Sequence, residues 1–536
     1  MKTRFTLLIC ALTACQLSVA QVPDTIRDVT PATWTTNLLR PYIGKTVYFD
    51  IPIVVSAVNS SSLTVAPWRK YEPENQGAIG SEEYQNAARI NASQLTLSGV
   101  SGSHRRGERV YGLTAYVSDA NKISWKSGTW KGNTRNELQN ADIRKMVGIP
   151  DDCDSCIVVC AFNLENYFVV NMGSMGASNT SEHQKQRKKI QAALQKINAD
   201  VYGFCELEKG DAAIKEIADD LNKAFPSRNY VYLQDGATQA VQKSDFLYDA
   251  NKFEFVRKDQ TNEEIAYRKK MICLRQIQTG EKFIFSINHF KAMNTGDEYR
   301  REKESRAVVN LYNQFRQKTD VRDNDVLFMG DMNAYGRSKP IMIFLNNGFI
   351  DLHTAFHADS SYSYFYGNSV SYIDQALCSE SIFRQVTGMS AFHINSDEDD
   401  SYNYERSNDA TMFRSSDHDP VIVGLRLDST LSKIYDPYMS DEAFSPDSVT
   451  FYYTDPIGNP HMYFDIYTVD GHRIVPPTAV KFQGEISETR TYYYSVAASN
   501  ENLPEELRQF LPLPSGIYII RFYYNGIVKA HKLIVR

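Results

Sequence analysis

The chain runs to 536 residues, of which 42% are hydrophobic, 12% aromatic and 23% charged. That is too long for one ordinary core and too apolar for a disordered chain, so several folded domains are expected. A net charge of −6 and a pI near 6.0 exclude a globally basic surface for nucleic acid, and a polyanion has to be met by a local patch.

Met1-Lys2-Thr3-Arg4, an apolar run from Phe5 to about Cys15, and Ser18-Val19-Ala20 follow the charged, apolar, small-residue order of a secretory signal peptide. Residues 1–20 are therefore expected to be removed after Ala20. Leu12-Thr13-Ala14-Cys15 resembles a lipoprotein processing box and carries the alternative of a lipid on Cys15. No later run approaches the ~18 apolar residues of a membrane helix, so no transmembrane segment is expected in the mature chain.

From Lys45 to about Gly132 the pattern is strand and turn: Val47, Phe49, Ile51, Ile53 and Val55 alternate with more polar neighbours. Further strands are expected over Leu63–Trp68, Ile90–Val100 and Arg109–Ser118, forming a small antiparallel barrel within a domain spanning 30–150. Trp68, Trp125 and Trp130 offer rings for base stacking or for packing. A short helix over Leu138–Met146 and then Gly148-Ile149-Pro150 mark a boundary. Cys153-Asp154-Ser155-Cys156 lacks the second pair that a zinc ribbon needs and reads as a small local disulfide, while Cys160 and Cys205 sit in apolar runs as core residues.

Over 154–430 strands and helices interleave, as in two packed sheets covered by helices. The polar outliers fall at strand ends. Asn163 ends the run that begins at Ile157, Glu206 follows Val201–Cys205, His289 follows Phe283–Asn288, and Asp331 and Asn333 follow Val326–Met329. Asp374 lies inside the apolar Tyr372–Leu377, and Asp417-His418 precedes Val421–Leu425. Singly, each has an ordinary explanation as a cap, a turn or a loop acid. Together they suit phosphate-ester hydrolysis, which needs charge neutralisation on phosphoryl oxygens, an activated water and a donor to the leaving oxygen. Carboxylates with an amide oxygen favour a hard ion such as Mg²⁺ or Mn²⁺, with Ca²⁺ a further option. The basic runs at Lys185–Lys189, Arg268–Lys270 and Arg300–Arg306 are candidate local patches for a polyanion; the first and last lie on helix-like segments and are read as solvated faces first.

Phe162-Asn163-Leu164-Glu165-Asn166, Glu206-Leu207-Glu208, Asn288-His289-Phe290-Lys291, Gly330-Asp331-Met332-Asn333-Ala334-Tyr335, Tyr372-Ile373-Asp374 and Ser416-Asp417-His418-Asp419-Pro420 occur in the order and rough spacing of a known family. On these segments the chain from about Val158 to Leu427 resembles the endonuclease/exonuclease/phosphatase family, which includes deoxyribonuclease I-like enzymes. The resemblance implies a four-layer α/β sandwich with Asn163, Glu206 and Asp417 around the metal. His418, oriented by Asp374, would serve the attacking water or the scissile phosphate. Asp331 and Asn333 would orient nucleophile and phosphate, His289 would support the leaving group, and Lys291 would add a phosphate contact. Some nucleases of the family carry a carboxylate that pairs with the residue equivalent to His289. Here that stretch reads Ala240-Val241-Gln242-Lys243-Ser244-Asp245, which leaves the partner open; Tyr248 is a candidate, but is expected first as a core tyrosine.

Asn-His-Phe-Lys, Gly-Asp-Met-Asn-Ala-Tyr and Ser-Asp-His-Asp-Pro look most like the secreted bacterial nuclease branch, so DNA, before RNA, is the expected substrate. Gly44-Lys45-Thr46-Val47 and Gly107-Glu108-Arg109-Val110-Tyr111-Gly112 resemble an oligonucleotide-binding-like barrel. After Ser432 the chain turns Tyr-rich with Pro and Gly turns, which predicts a small all-β sandwich over 436–536 closing in a hairpin about Asn525-Gly526. Gly516-Ile517-Tyr518 and Lys532-Leu533-Ile534-Val535-Arg536 are similar to sorting domains of type IX secretion cargo, which, with the leader, implies that machinery as a partner and a route through the periplasm to secretion or surface attachment. Two other readings stay open: a sphingomyelinase-like or inositol-phosphate phosphoesterase, and a non-catalytic surface adhesion protein.

Overall fold

The structure is a computed structural model. It describes residues 23–35, 37–234, 241–261, 267–357 and 360–428, and beyond them 513–514 and the strands over 438–439, 448–454, 462–468, 473–479, 484–486, 491–497, 516–524 and 527–535. The leader, Cys15, Ala240 and the turn at Asn525-Gly526 lie outside the described residues.

The N-terminal region holds β1 (Asp24–Ile26), β2 (Thr46–Phe49), β3 (Ile53–Val58), β4 (Ser62–Ala66), β5 (Leu95–Ser98), β6 (Arg109–Asp119) and β7 (Lys122–Lys131). The order β6-β3-β4-β5-β7 returns to β6 through a β6–β7 pairing, so five strands close a barrel, and β2 and β1 extend from β6. Period-two alternation sends Val47, Phe49, Ile53, Val55, Leu63, Val65, Leu95, Leu97, Val110, Ala115 and Val117 inward, where they are buried. The strand expected from Ile90 starts only at Leu95, because Glu82–Ala92 is a helix. Ser81 caps it by accepting from the Tyr84 amide at 3.2 Å, and Glu82 and Glu83 complement the positive end of its dipole. Trp125 and Trp130 stack on each other, with centroids 5.5 Å apart, and pack with Trp68 against the barrel core.

The central domain contains β8 (Cys156–Tyr167), β9 (Val201–Glu208), β10 (Tyr230–Tyr232), β11 (Gln242–Asp249), β12 (Phe253–Thr261), β13 (Lys269–Gln276), β14 (Lys282–Asn288), β15 (Val326–Asp331), β16 (Ile350–Asp351), β17 (Tyr364–Tyr366), β18 (Ser369–Ser371), β19 (Asp374–Cys378), β20 (Val386–Ala391) and β21 (Val421–Arg426). One six-stranded sheet runs β10-β11-β9-β8-β21-β20 and the other β12-β13-β14-β15-β19-β16. Alternation on β8 explains the layering. Ile157, Val159 and Ala161 meet Phe283, Phe285, Leu327 and Met329 of the facing sheet in one core. Val158, Cys160 and Phe162 turn outward against Ile190, Leu194, Ile214 and Leu221 on helices Thr180–Ile197 and Ala212–Ala224. On the far side, Ile284 and Phe328 pack under helix Glu298–Phe315 through Val308 and Tyr312. The result is helix, sheet, sheet, helix: a sandwich, as the resemblance implies. The segment expected as a boundary joins this core, since Ile143, Val147 and Ile149 are buried with β8.

Lysines of two basic runs are internal, Lys189 against the expectation of a solvated face and Lys269 in the candidate polyanion patch. Lys189 is fully buried and donates to the Phe413 carbonyl at 2.8 Å, and Lys269 is fully buried beside Glu304 at 2.8 Å. Cys153 and Cys156 are disulfide-bonded, and Cys160 and Cys205 are free and buried. Arginines of the N-terminal region join the central domain: buried Arg69 pairs with Asp397, and buried Arg105 and half-buried Arg135 with Glu398. Beyond 428 two four-stranded sheets are present, and Gly516–Tyr524 pairs antiparallel with Ile527–Val535 as the sequence predicts. No helix among the described residues is long and apolar enough to cross a membrane.

Candidate active site

The functional side chains converge because the two sheets end together. β8 and β9 run parallel, with Asn163 paired to Cys205, so Asn163 and Glu206 emerge side by side. In the facing sheet β14 and β15 are also parallel, which brings His289 and Asp331 to the same edge. β19 runs antiparallel to β15 and sets Asp374 directly opposite Asp331. β21 pairs with β8 through Val421 and Ala161, delivering Asp417 and His418 from the preceding loop. Gly330 permits the close approach of β14 and β15: its φ is +115° and a Cβ there would stand 2.3 Å from the Asn288 carbonyl oxygen. Glu165, Asn166, Glu206 and Asn333 all hold positive φ, a costly conformation for glutamate, and such strain concentrates where geometry is imposed for function.

Asp331 is the hub. Its Oδ2 accepts from the amides of Asn163 and Asn333, each at 3.1 Å, and its Oδ1 accepts from the Asn333 backbone N–H at 2.9 Å. The same Oδ2 lies 3.7 Å from His289 Nε2 and 3.9 Å from His418 Nε2. His418 Nδ1 bonds Asp374 Oδ2 at 2.8 Å, and Ser363 Oγ donates to that oxygen at 2.7 Å. Glu206 Oε2 accepts from the Asn166 N–H at 3.0 Å, while Oε1 faces His289 Nε2 at 3.6 Å.

The two histidines are driven apart. Burial, with Arg268 and His418 nearby, holds His289 well below the ordinary histidine range, so it is neutral and its contacts with Glu206 and Asp331 are not ion pairs. Burial works the same way on His418, but Asp374, Asp417 and Asp331 outweigh it and raise His418 well above that range.

The donor set fits a hard divalent cation. Burial pushes the Asp331 carboxyl up to about 7, with Asp374 and Glu206 adding to the rise, and Glu206 is raised by burial and by Asp417. These carboxylates oppose one another's charge, a conflict that an oxygen-seeking cation relieves. Ligand-capable atoms of Glu206, His289 and Asp331 lie within 4.8 Å of one another, as do those of Asp331, Asp374 and His418.

Most residues expected from the sequence are thus brought together, with a shift of emphasis. Asp331 is the carboxylate common to both clusters, whereas Asp417 reaches the site at its edge, 4.0 Å from His418 Nε2. Lys291 stands apart, its amine 3.9 Å from Asp297. Neither Asp245 nor Tyr248 pairs with His289: Asp245 bonds the buried Lys243 at 2.6 Å, and Tyr248 packs in the inter-sheet core, as expected of it first. Sequence reasoning gave no role to Glu165, whose carboxyl burial and Asp417 push up to about 8 against the pull of Arg414. It also passed over Arg268 as a site residue, although its guanidinium sits in the field of Glu206 and Asp331. Tyr364, whose ring lies 4.6 Å from that of His418, was likewise missed. Glu165 lies in a quoted segment and Arg268 in a quoted basic run, so each had a signal but no assigned partner.

Buried acids in need of a cation, beside one neutral and one charged imidazole, equip a protein for metal-dependent hydrolysis of phosphoric esters, and this protein is a hydrolase of that class. Residues 162–418 match the Endonuclease/Exonuclease/phosphatase family and form a domain of it. No curated protein matches the sequence. Among solved structures, the chain is similar to an endonuclease/exonuclease/phosphatase family protein from Bacteroides thetaiotaomicron, at 17% identity over 52% of this chain and 98% of that one, with a TM-score of 0.38. It is similar to a mannosyl-6-phosphatase of the same species at 18% identity, over 50% and 98% of the two chains, with a TM-score of 0.37. The human Nocturnin catalytic domain with bound sulfate shares 14% identity over 50% and 94% of the two chains, with a TM-score of 0.36.

Proposed function

We propose that the protein is a secreted nuclease that hydrolyses phosphodiester bonds of DNA, with RNA as a second substrate, using Mg²⁺ or Mn²⁺ and with Ca²⁺ as a further option. Four segments are assigned: a leader over 1–20, an oligonucleotide-binding-like barrel over 30–150, the catalytic domain over 154–430, and a C-terminal sorting sandwich over 436–536 read by type IX machinery. The observation that carries the chemistry is the sharing of Asp331 between His289 on one side and His418 on the other.

Asn163, Glu206 and Asp417, joined by Asp331, would hold the cation, which supplies charge neutralisation at the phosphoryl oxygens and a lowered pKa for water. His418, charged and fixed by Asp374, clamps the scissile phosphate. Asn333 donates its amide N–H groups to Asp331 and the Phe290 carbonyl, which leaves its amide oxygen for the incoming water, and an N–H released from either bond would turn to the phosphate. Neutral His289 donates a hydrogen bond to the departing oxygen. Nucleic acid as substrate is supported by exposed Arg109 and Tyr111 on β6, which line a cleft of about 730 Å³ between the barrel and the catalytic domain together with Trp68. Cations interleaved with rings suit a polynucleotide strand.

One observation favours a lipid phosphodiester instead. Val170 and Met175 are 67% and 40% exposed on the loop that follows Asn163–Asn166, as an enzyme working at a membrane surface would require. Plasmid DNA, RNA, sphingomyelin vesicles and inositol phosphates, each offered with Mg²⁺, Mn²⁺ or Ca²⁺ and with chelator, separate the readings. DNA cleavage lost with chelator and in His418→Ala supports the nuclease. Hydrolysis of sphingomyelin or inositol phosphate without DNA cleavage transfers the assignment.

A further inference from the structure

We infer that the N-terminal region is part of the catalytic apparatus, with Arg69 acting as a positioning residue for the Asp374–His418 pair through the tripeptide Tyr362-Ser363-Tyr364. The inference rests on the hydrolytic reading of that pair and goes beyond it by naming what holds the pair in place.

Arg69 follows β4 and leaves the barrel for the central domain, where its side chain is 5% exposed. Its guanidinium pairs with Asp397 and lies 4.2 Å from the centroid of the Tyr362 ring. Tyr362 is fixed on all sides. Its hydroxyl donates to Asp397 Oδ2 at 2.9 Å, its ring stacks on His393 at 3.7 Å and 5°, and Tyr71 meets it edge-on at 6.3 Å. His393 is in turn held by Asp419, at 3.0 Å, the residue after His418.

The next two residues transmit that placement. Ser363 is fully buried and donates to Asp374 Oδ2, the same oxygen that receives His418 Nδ1. Its carbonyl accepts from the Asp419 N–H at 2.7 Å, which ties the strand to the loop carrying His418. Tyr364 then covers the imidazole. Three consecutive side chains therefore contact, in order, the N-terminal region, Asp374 and His418.

A second anchor approaches from the other side of Asp374. Asn75 is buried and treats Tyr372 as a strand would: its amide donates to the Tyr372 carbonyl and its oxygen accepts from the Tyr372 N–H, both at 3.1 Å. The backbones of Lys70 and Glu72 bond Val370 at 2.9 and 2.8 Å. Segment 69–75 thus grips the chain on both sides of β17 and β18, the hairpin between Ser363 and Asp374. Groups that must be placed within about 0.5 Å depend on such support.

The test is a double-variant cycle in kcat on the full chain, using Arg69→Ala and Ser363→Ala, with a proton NMR spectrum of each. Each single change is expected to lower kcat by about 10–100-fold, the worth of one hydrogen bond to a charged group, with KM and the metal concentration for half-activation unchanged. Because both act through Asp374, the double variant should fall no more than about threefold below the weaker single variant. A low-field imidazole N–H resonance, assigned by its loss in His418→Gln, should shift or broaden in both single variants. Where Arg69→Ala fails to fold, Arg69→Lys keeps the charge toward Asp397, gives up the planar contact on Tyr362 and is read in the same way. Additive losses, an unchanged kcat in the Arg69 variant, or a wild-type spectrum that lacks the resonance or keeps it unaltered in the variants would overturn the inference. The resonance reads the pair without substrate, so a failure to find a hydrolysed ester counts against the proposed function and not against this coupling.

Discussion

Asp331 and Asp374 face one another directly across the antiparallel β15–β19 pair, two buried carboxylates on the same side of one sheet. Like charges in that position repel, and His418 answers them by bonding Asp374 through Nδ1 at 2.8 Å and facing Asp331 with Nε2 at 3.9 Å. Asp374→Asn keeps the shape and removes the charge that fixes the imidazole. Steady-state assays at saturating metal should show kcat reduced by about 10²–10⁴-fold with KM little changed. A loss below tenfold would show that Asp374 does not orient His418.

The crowded acids also give a stability signature. In chelator, Glu206→Gln should melt at or above the wild-type temperature, because it removes one of the charges that Asp331 and Asp417 oppose. Added Mn²⁺ should raise the wild-type melting temperature by ligand linkage and raise that of the variant far less. The Mn²⁺ concentration for half-maximal activity should rise by about 10–100-fold or more in Glu206→Gln, since losing even a residue that supports a metal ligand costs that much. A variant that binds and responds to Mn²⁺ like the wild type would remove Glu206 from the metal site.

The joint between the N-terminal region and the central domain carries a pH dependence of definite sign. Burial alone would raise the Asp397 carboxyl, but Arg69, His393 and Arg105 hold it below the ordinary carboxylate range. A folded-state pKa below the unfolded one gives stability that is fully present above the unfolded value of ~3.9 and is lost as pH falls through the folded value. Asp397→Asn leaves Arg69 buried without its counter-charge and should destabilise the protein by about 3–5 kcal/mol at pH 7. Thermal melts should show that deficit constant from pH 7 down to about pH 4 and shrinking below it. A deficit that instead grows on acidification would contradict the assigned ion pair.

What the sequence revealed followed from local pattern. Asn163, Glu206, His289 and Asp331 stood out because each stands at the end of a nearly continuous apolar run, and a polar residue there must leave the core. The sheet layering was legible for the same reason. The role of Ser363 was not, because its partner Asp374 is 11 residues away across a hairpin and nothing in Ser-Tyr-Ser-Tyr marks one hydroxyl as buried. The burial of Lys189 and Lys269 was hidden likewise: a lysine in a basic run does not look internal until a partner such as the Phe413 carbonyl or Glu304 arrives from a distant segment. The convergence of the site side chains also escaped local reading, because positive φ at Glu206 and Asn333 aims those side chains and no spacing rule encodes it.

His289 offers the sharpest division of roles. Its Nε2 lies 3.6 Å from Glu206 and 3.7 Å from Asp331, its buried Nδ1 has no hydrogen-bond partner, and its environment keeps it neutral. A neutral imidazole that stabilises a departing oxygen matters most when that oxygen leaves poorly and little when it leaves easily. His289→Ala should therefore lower kcat/KM by about 10²–10⁴-fold for a natural alkoxide leaving group but by under about tenfold for a p-nitrophenyl ester. His418→Ala should depress both, because a clamp on the phosphate acts whatever group departs. Equal losses for the two esters in His289→Ala would move His289 from the leaving oxygen to the phosphoryl group or the metal site.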